Sequence, residues 1–130
     1  MPTARGTIDV TMEAEPPFLE QDGIKLQRTA VRKEFSGDMV GTSEAQMVAA
    51  YTATPGSAGY VSIEHFTGSV DGKSGSFVLQ HHGLMAKGEA ELTVTIVPDS
   101  GTGDLNGISG TLEIDNDDGG HSYVLEYEYL

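Results

Sequence analysis

The stretch Phe66–Gly83, FTGSVDGKSGSFVLQHHG, decides how this chain is read. Its centre, Asp71-Gly72, is the residue pair that a two-residue hairpin turn selects, because both positions adopt positive φ. On either side the residues alternate, so Tyr60–Val70 and Ser74–His82 are expected as paired antiparallel strands. Successive strand residues point to opposite faces, so the adjacent His81 and His82 cannot look the same way. With a two-residue turn Phe66 faces Phe77 and Glu64 faces Leu79; with a four-residue loop Phe66 faces Leu79 and Glu64 faces His81. In both registers Glu64, Phe66, Phe77, Leu79 and His81 share a face. The bulk of Phe66, Phe77 and Leu79 assigns that face to the interior.

The same alternation recurs along the chain. Ile8, Val10 and Met12 interleave with Thr7, Asp9, Thr11 and Glu13, and a second strand is expected from Leu26 to Phe35. Glu44–Ala53 carries helix-favouring Ala, Glu and Gln, but its strand neighbours and the terminating Pro55-Gly56 favour a strand. Glu89–Val97, Gly110–Asp115 and Ser122–Tyr129 complete the set, with a loop at Glu15–Gly23 and room for one helical turn at Leu105–Ile108. The last strand sets Tyr123, Leu125, Tyr127 and Tyr129 on one face. Eight antiparallel strands with one buried face hide their edges by closing into a barrel, and such a barrel is plugged by side chains or holds one small ligand. A single all-β domain spanning residues 1–130 is expected, with a two-sheet sandwich as the alternative.

Composition narrows the partners. The 130 residues carry 7 Lys and Arg against 20 Asp and Glu, a net charge of −13, which repels phosphate backbones and anionic lipid surfaces. Neither a nucleic acid nor a membrane is therefore expected as a partner. Cysteine is absent, excluding thiol chemistry and Cys-type zinc sites. The first residues, MPTARGTIDV, lack the apolar core of a signal peptide, so a cytoplasmic location is expected. A homo-oligomer is compatible with all of this.

The phrases FSGDMVGTSEAQMVAAY (35–51), FTGSVDGKSGSFVLQHHG (66–83), IVPDSGTGDLNGISGTLEI (96–114) and YVLEYEYL (123–130) resemble a bacterial family of unknown function, DUF3224. The resemblance runs over nearly the whole chain. It implies an eight-stranded antiparallel barrel of the allene-oxide-cyclase-like, calycin-like type. It carries no established activity, and a shared fold does not fix function.

The chemistry-bearing residues follow from parity. Glu64 and His81 are expected inside an otherwise apolar barrel, either directly opposite or diagonal, and diagonal cross-strand neighbours lie about 7–8 Å apart at Cα, within reach of long side chains. Burial pushes a carboxylate towards neutral and an imidazolium pulls it back, so such a pair suits proton transfer, with Glu64 as base or acid and His81 as its partner. The same pair also serves as a satisfied buried contact fixing register. Tyr123 and Tyr127, with Tyr51, are candidate hydroxyl donors to a ligand among Phe66, Phe77 and Leu79, and aromatic residues on such a face are also simply core.

His65 and His82 fall on the outward face without a third ligand, which argues against zinc. His121 is expected in a solvated turn. DNDDGGHSYVLE (115–126) places Asp115, Asp117, Gly120 and Glu126 at calcium-loop positions, but Gly119 occupies a ligand position and the flanks are strands rather than helices. GTGDLNG (101–107) misplaces the third glycine of a dinucleotide fingerprint and precedes no helix. Arg28 and Arg32 share a strand face with Leu26 and Ala30, from which one could reach an inward carboxylate or a substrate anion, though a surface position is the commoner one for strand arginines. No cofactor and no metal are expected. The readings that remain are a cofactor-independent isomerase, cyclase or lyase acting on a small apolar molecule by proton transfer, a non-catalytic ligand-binding barrel, and a filled barrel with a structural or interaction role.

Overall fold

The computed structural model describes residues 2–115 and 120–130. Ten strands form one antiparallel sheet: β1 Thr3–Ala14, β2 Leu19–Gln21, β3 Ile24–Gly37, β4 Met39–Tyr51, β5 Ala58–Val70, β6 Lys73–Ala86, β7 Glu89–Ile96, β8 Thr102–Gly103, β9 Ile108–Asp115 and β10 His121–Tyr129. The short β2 and β8 are appendages that pair with β3 and β6. The eight long strands form a meander in which each neighbours the next, and β1 closes the ring by pairing with both β3 and β10. The result is an eight-stranded antiparallel closed barrel.

Turn chemistry explains the hairpins. Asp71 and Gly72 have φ of 48° and 84°, and the pairs Asp22-Gly23 and Lys87-Gly88 likewise take positive φ at both positions. Such turns match the right-handed twist of the strands they join. The two-residue turn at Asp71-Gly72 sets the register Val70↔Lys73, Phe66↔Phe77, Glu64↔Leu79 and Ser62↔His81. Most strands run longer than the sequence reading has them: β4 spans Met39–Tyr51 rather than Glu44–Ala53, β3 extends beyond Leu26–Phe35 at both ends, and the loop expected at Glu15–Gly23 contains β2. β6 runs on to Ala86, so the two histidines sit within the strand rather than at its end. Residues 104–107 form consecutive turns, with Leu105 N–H bonded to Thr102 O and Ile108 N–H to Leu105 O, not a helix.

The barrel's two halves are filled differently. In one half Phe35, Met39, Phe66, Phe77, Leu79, Tyr123 and Leu125 form the core, joined by Leu105 from the turn region. Phe66 packs on Phe35 edge to face at 5.2 Å between ring centroids, a geometry that aromatic rings prefer, and on Phe77 in a tilted arrangement at 5.1 Å. Tyr123 reaches across the wall: its Oη accepts the Met39 N–H at 2.8 Å and donates to Ser36 O at 2.9 Å. Gly6 permits that crossing, since a Cβ there would lie 1.9 Å from Ser36 O and 2.6 Å from Tyr123 Oη. Towards the other end the inward positions carry smaller side chains, among them Ala45, Ala49, Ser62 and Gly83, and the interior opens.

Candidate functional site

Glu64 lies at the boundary between the packed half and the open half, and it is fully buried. The diagonal placement created by the β5–β6 register brings His81 Nε2 to 2.6 Å from Glu64 Oε1. Lys33 Nζ, from β3, lies 3.0 Å from the same oxygen, and Ser43 Oγ, from β4, donates to Oε2 at 2.5 Å. All three partners are themselves buried. Burial pushes the Glu64 carboxyl up. The His81 hydrogen bond, the Lys33 charge and the Ser43 hydroxyl outweigh it and hold the group at about 2.

An ionised carboxylate only accepts hydrogen bonds, so His81 carries its proton on Nε2 and donates it to Glu64. In the neutral ring Nδ1 is then the lone-pair nitrogen. It has no partner among the hydrogen bonds of the described residues, and no buried polar side-chain atom among them is left unsatisfied, so Nδ1 faces open space.

That space is a cavity of about 140 Å³ to which every long strand contributes an inward side chain. Ile8, Val10, Met12, Val31, Ala45, Met47, Leu92 and Ile114 form its apolar wall, and Lys33, His81, Ser62, Tyr60 and His121 are its polar lining. Met47, Tyr60 and Leu92 also border an outer vestibule of about 320 Å³ that contains Tyr51. Burial, then the Glu64 charge, raises the Tyr60 hydroxyl, which keeps it a neutral donor.

The structure sorts the residues singled out from sequence. Glu64 and His81 are together, and Tyr51 lies at the outer lip with Lys25 Nζ 5.0 Å from its ring centre. Phe66, Phe77, Leu79 and Tyr123 pack in the closed half and do not line the cavity. Tyr127 hydrogen-bonds Asp71 at that same end. The Tyr123 hydroxyl is spent on backbone groups, so these two tyrosines hold the barrel shut rather than facing the open space.

His65 pairs across from Val78 and His82 from Val61, separated by the Ile63–Gln80 pair, and both are exposed. No group of three or more His, Cys, Asp or Glu suited to a metal occurs among the described residues. Of the calcium-loop pattern, Asp117 and Gly119 lie outside the described residues. His121 begins β10 and lines the cavity instead of sitting in a solvated turn. Arg28 and Arg32 are surface residues paired with Glu15 and Glu44.

Sequence reasoning missed Lys33, Ser43 and Tyr60. A signal for Lys33 was present: it shares parity with Val31 and Phe35, both of them buried.

Residues 4–127 match the family model described as a protein of unknown function, DUF3224. The crystal structure of a DUF3224 protein of unknown function from Shewanella oneidensis MR-1 is 38% identical. It aligns over 100% of this chain and 98% of its own, with a TM-score of 0.95. No curated protein matches the sequence.

Proposed function

We propose, from the premise that this chain belongs to the DUF3224 family of unknown function, that the barrel binds a small, mostly apolar molecule in its open half and can move a proton on it. The observation that carries this reading is the apolar cavity ending on the buried Glu64–His81–Lys33 group. A preformed apolar hollow with a few convergent polar groups is the usual form of a small-molecule site. The eight-strand meander also supports kinship with allene-oxide-cyclase-like, calycin-like barrels, which we hold as part of the same proposal.

Roles follow from geometry. Glu64 has its oxygens filled by three donors and is a weak base, so His81 Nδ1 takes the part of general base or acid. Glu64 positions the ring and stabilises the imidazolium that forms when Nδ1 gains a proton. Lys33 offers ammonium hydrogens to a developing oxyanion. The chemistry is that of a cofactor-independent isomerase, cyclase or lyase.

Two experiments test it. Small ketones titrated into isotopically labelled protein should shift resonances of Met47, Tyr60 and Leu92. Ala45→Leu, which fills the cavity from an already buried position, should remove the response without loss of folding. Shifts confined to the outer surface would refute the binding reading. Incubation in D₂O should exchange the ketone's α-hydrogens in a manner lost in His81→Gln. Binding without exchange would leave the second reading, a non-catalytic ligand carrier. The cavity supports either over a barrel filled by its own side chains.

A further inference from the structure

We propose that the cavity's ligand is a small monocarboxylic acid with an apolar body, its carboxylate held by Lys33 Nζ and His81 Nδ1, bound with the uptake of one proton. This deepens the binding reading above and rests on it.

The inference comes from charge accounting at the cavity floor. Glu64 contributes one negative charge and Lys33 one positive charge, 3.0 Å apart, while a neutral His81 donating to Glu64 through Nε2 adds none. With His81 neutral the floor is balanced. Yet the groups it turns towards the cavity are not balanced. Glu64 is sealed beneath the floor and does not line the cavity, whereas Lys33 and His81 do. A ligand thus meets an ammonium group with donors to spare beyond the one given to Glu64, and an imidazole nitrogen able to take a proton.

Each ligand class meets this floor differently. A cationic head would approach Lys33 with no exposed anion to receive it. A neutral alcohol could hydrogen-bond but would gain nothing from the charge. A carboxylate is attracted by Lys33, and it adds one negative charge beside buried ionised groups in a largely apolar space, where an unbalanced charge is costly. Protonation of His81 at Nδ1 restores the balance. It also adds a second charge-assisted donor to the carboxylate while Nε2 keeps its bond to Glu64.

Among the described residues, the titratable groups facing His81 are Glu64 and Tyr60 from β5, Lys33 from β3 and His121 from β10; β1, β4, β7 and β9 bring none to the cavity. Tyr60 is held neutral by burial and by Glu64. The cavity's size and its wall of Ile8, Val31, Met47 and Leu92 limit the body to a short aliphatic or single-ring group.

Calorimetry on the wild-type protein near neutral pH, with hexanoate, hexanol and hexylamine as probes, tests this. Hexanoate should bind about tenfold or more tightly than hexanol, the size of one hydrogen bond to a charged group, and hexylamine should not bind. Repeating the hexanoate titration in buffers of different ionisation enthalpy should report uptake of about one proton per site. Lys33→Met should erase the preference for hexanoate, and His81→Gln should abolish proton uptake.

Hexanol binding as tightly as hexanoate would overturn the acid reading and leave the cavity a binding site. Hexanoate binding without proton uptake, or uptake that persists in His81→Gln, would overturn the assigned proton. If none of the probes binds, the small-molecule reading itself falls and takes this one with it. Should the Lys33 variant not fold, the wild-type series still decides.

Discussion

Ser43 Oγ lies 2.5 Å from Glu64 Oε2, the carboxylate oxygen that Lys33 and His81 leave free. With that bond both oxygens of the buried carboxylate are engaged, by donors from β3, β4 and β6. The group is therefore a structural junction as well as the floor of a cavity, and mutations can separate the two roles.

Removing one charge should be far worse than removing them all. Glu64→Gln leaves the Lys33 ammonium buried without its counter-ion and should cost about 3–5 kcal/mol in urea unfolding. The triple change Glu64→Leu, Lys33→Met, His81→Leu should recover most of that loss, because an apolar floor needs no compensation. Ligand binding should not return with it. A triple variant less stable than Glu64→Gln would show that packing, rather than charge pairing, governs this level of the barrel.

The junction also sets an acid limit. Burial raises the Glu64 carboxyl, but His81, Lys33 and Ser43 bring it from 4.5 down to about 2. A carboxyl depressed in the folded state contributes stability that is full above the unfolded value near 4.5 and is lost as pH falls to about 2. Urea midpoints should therefore drop across that window in the wild type and vary much less in Glu64→Gln. Equal slopes for the two proteins would place the acid sensitivity elsewhere.

At the opposite end, Tyr123→Phe deletes the hydroxyl that receives the Met39 N–H and bonds Ser36 O. Leaving the buried Met39 N–H unpaired should cost about 1–3 kcal/mol. Because Tyr123 does not line the cavity, probe affinity should be unchanged in the fraction that is folded. A loss of affinity with stability intact would mean that the two halves of the barrel communicate.

Gly6→Ala is the sharper lesion at that site. Its Cβ would press on Ser36 O and on Tyr123 Oη, at the place where β1 meets β3. The backbone of Ser36 cannot yield as a flexible side-chain end can, so the ring should fail to close. Circular dichroism should show loss of cooperative unfolding, or the protein should be recovered only in aggregates. A fully folded Gly6→Ala protein would contradict this account of barrel closure.

Much of this was legible in the residues, for reasons that can be named. Asp71-Gly72 signals a hairpin, and a two-residue turn and a four-residue loop give the same parity, so Glu64 and His81 fall on one face in either register. Lys33 escaped notice because it sits in the run Arg32-Lys33-Glu34, where three consecutive charges hide the alternation that buries the middle one. Tyr123 and Tyr127 read correctly as inward. Which end of the barrel they occupy depends on strand stagger around the ring, and local pattern carries no record of it. The plug at Leu105 was hidden for a related reason, since a turn residue owes its burial to the strands it happens to cover.

The closure of β1 onto β10 has a consequence for how this protein comes into being. On a ribosome the first strand can find β3 early, but its other edge must wait for the last strand to be made. Until then the nascent sheet is an open ribbon with two unpaired borders, the form in which strands recruit neighbouring chains. Contacts so distant in sequence also make folding slow. The edges of this sheet are therefore most open to other chains before β10 is made, and closing the ring removes that exposure.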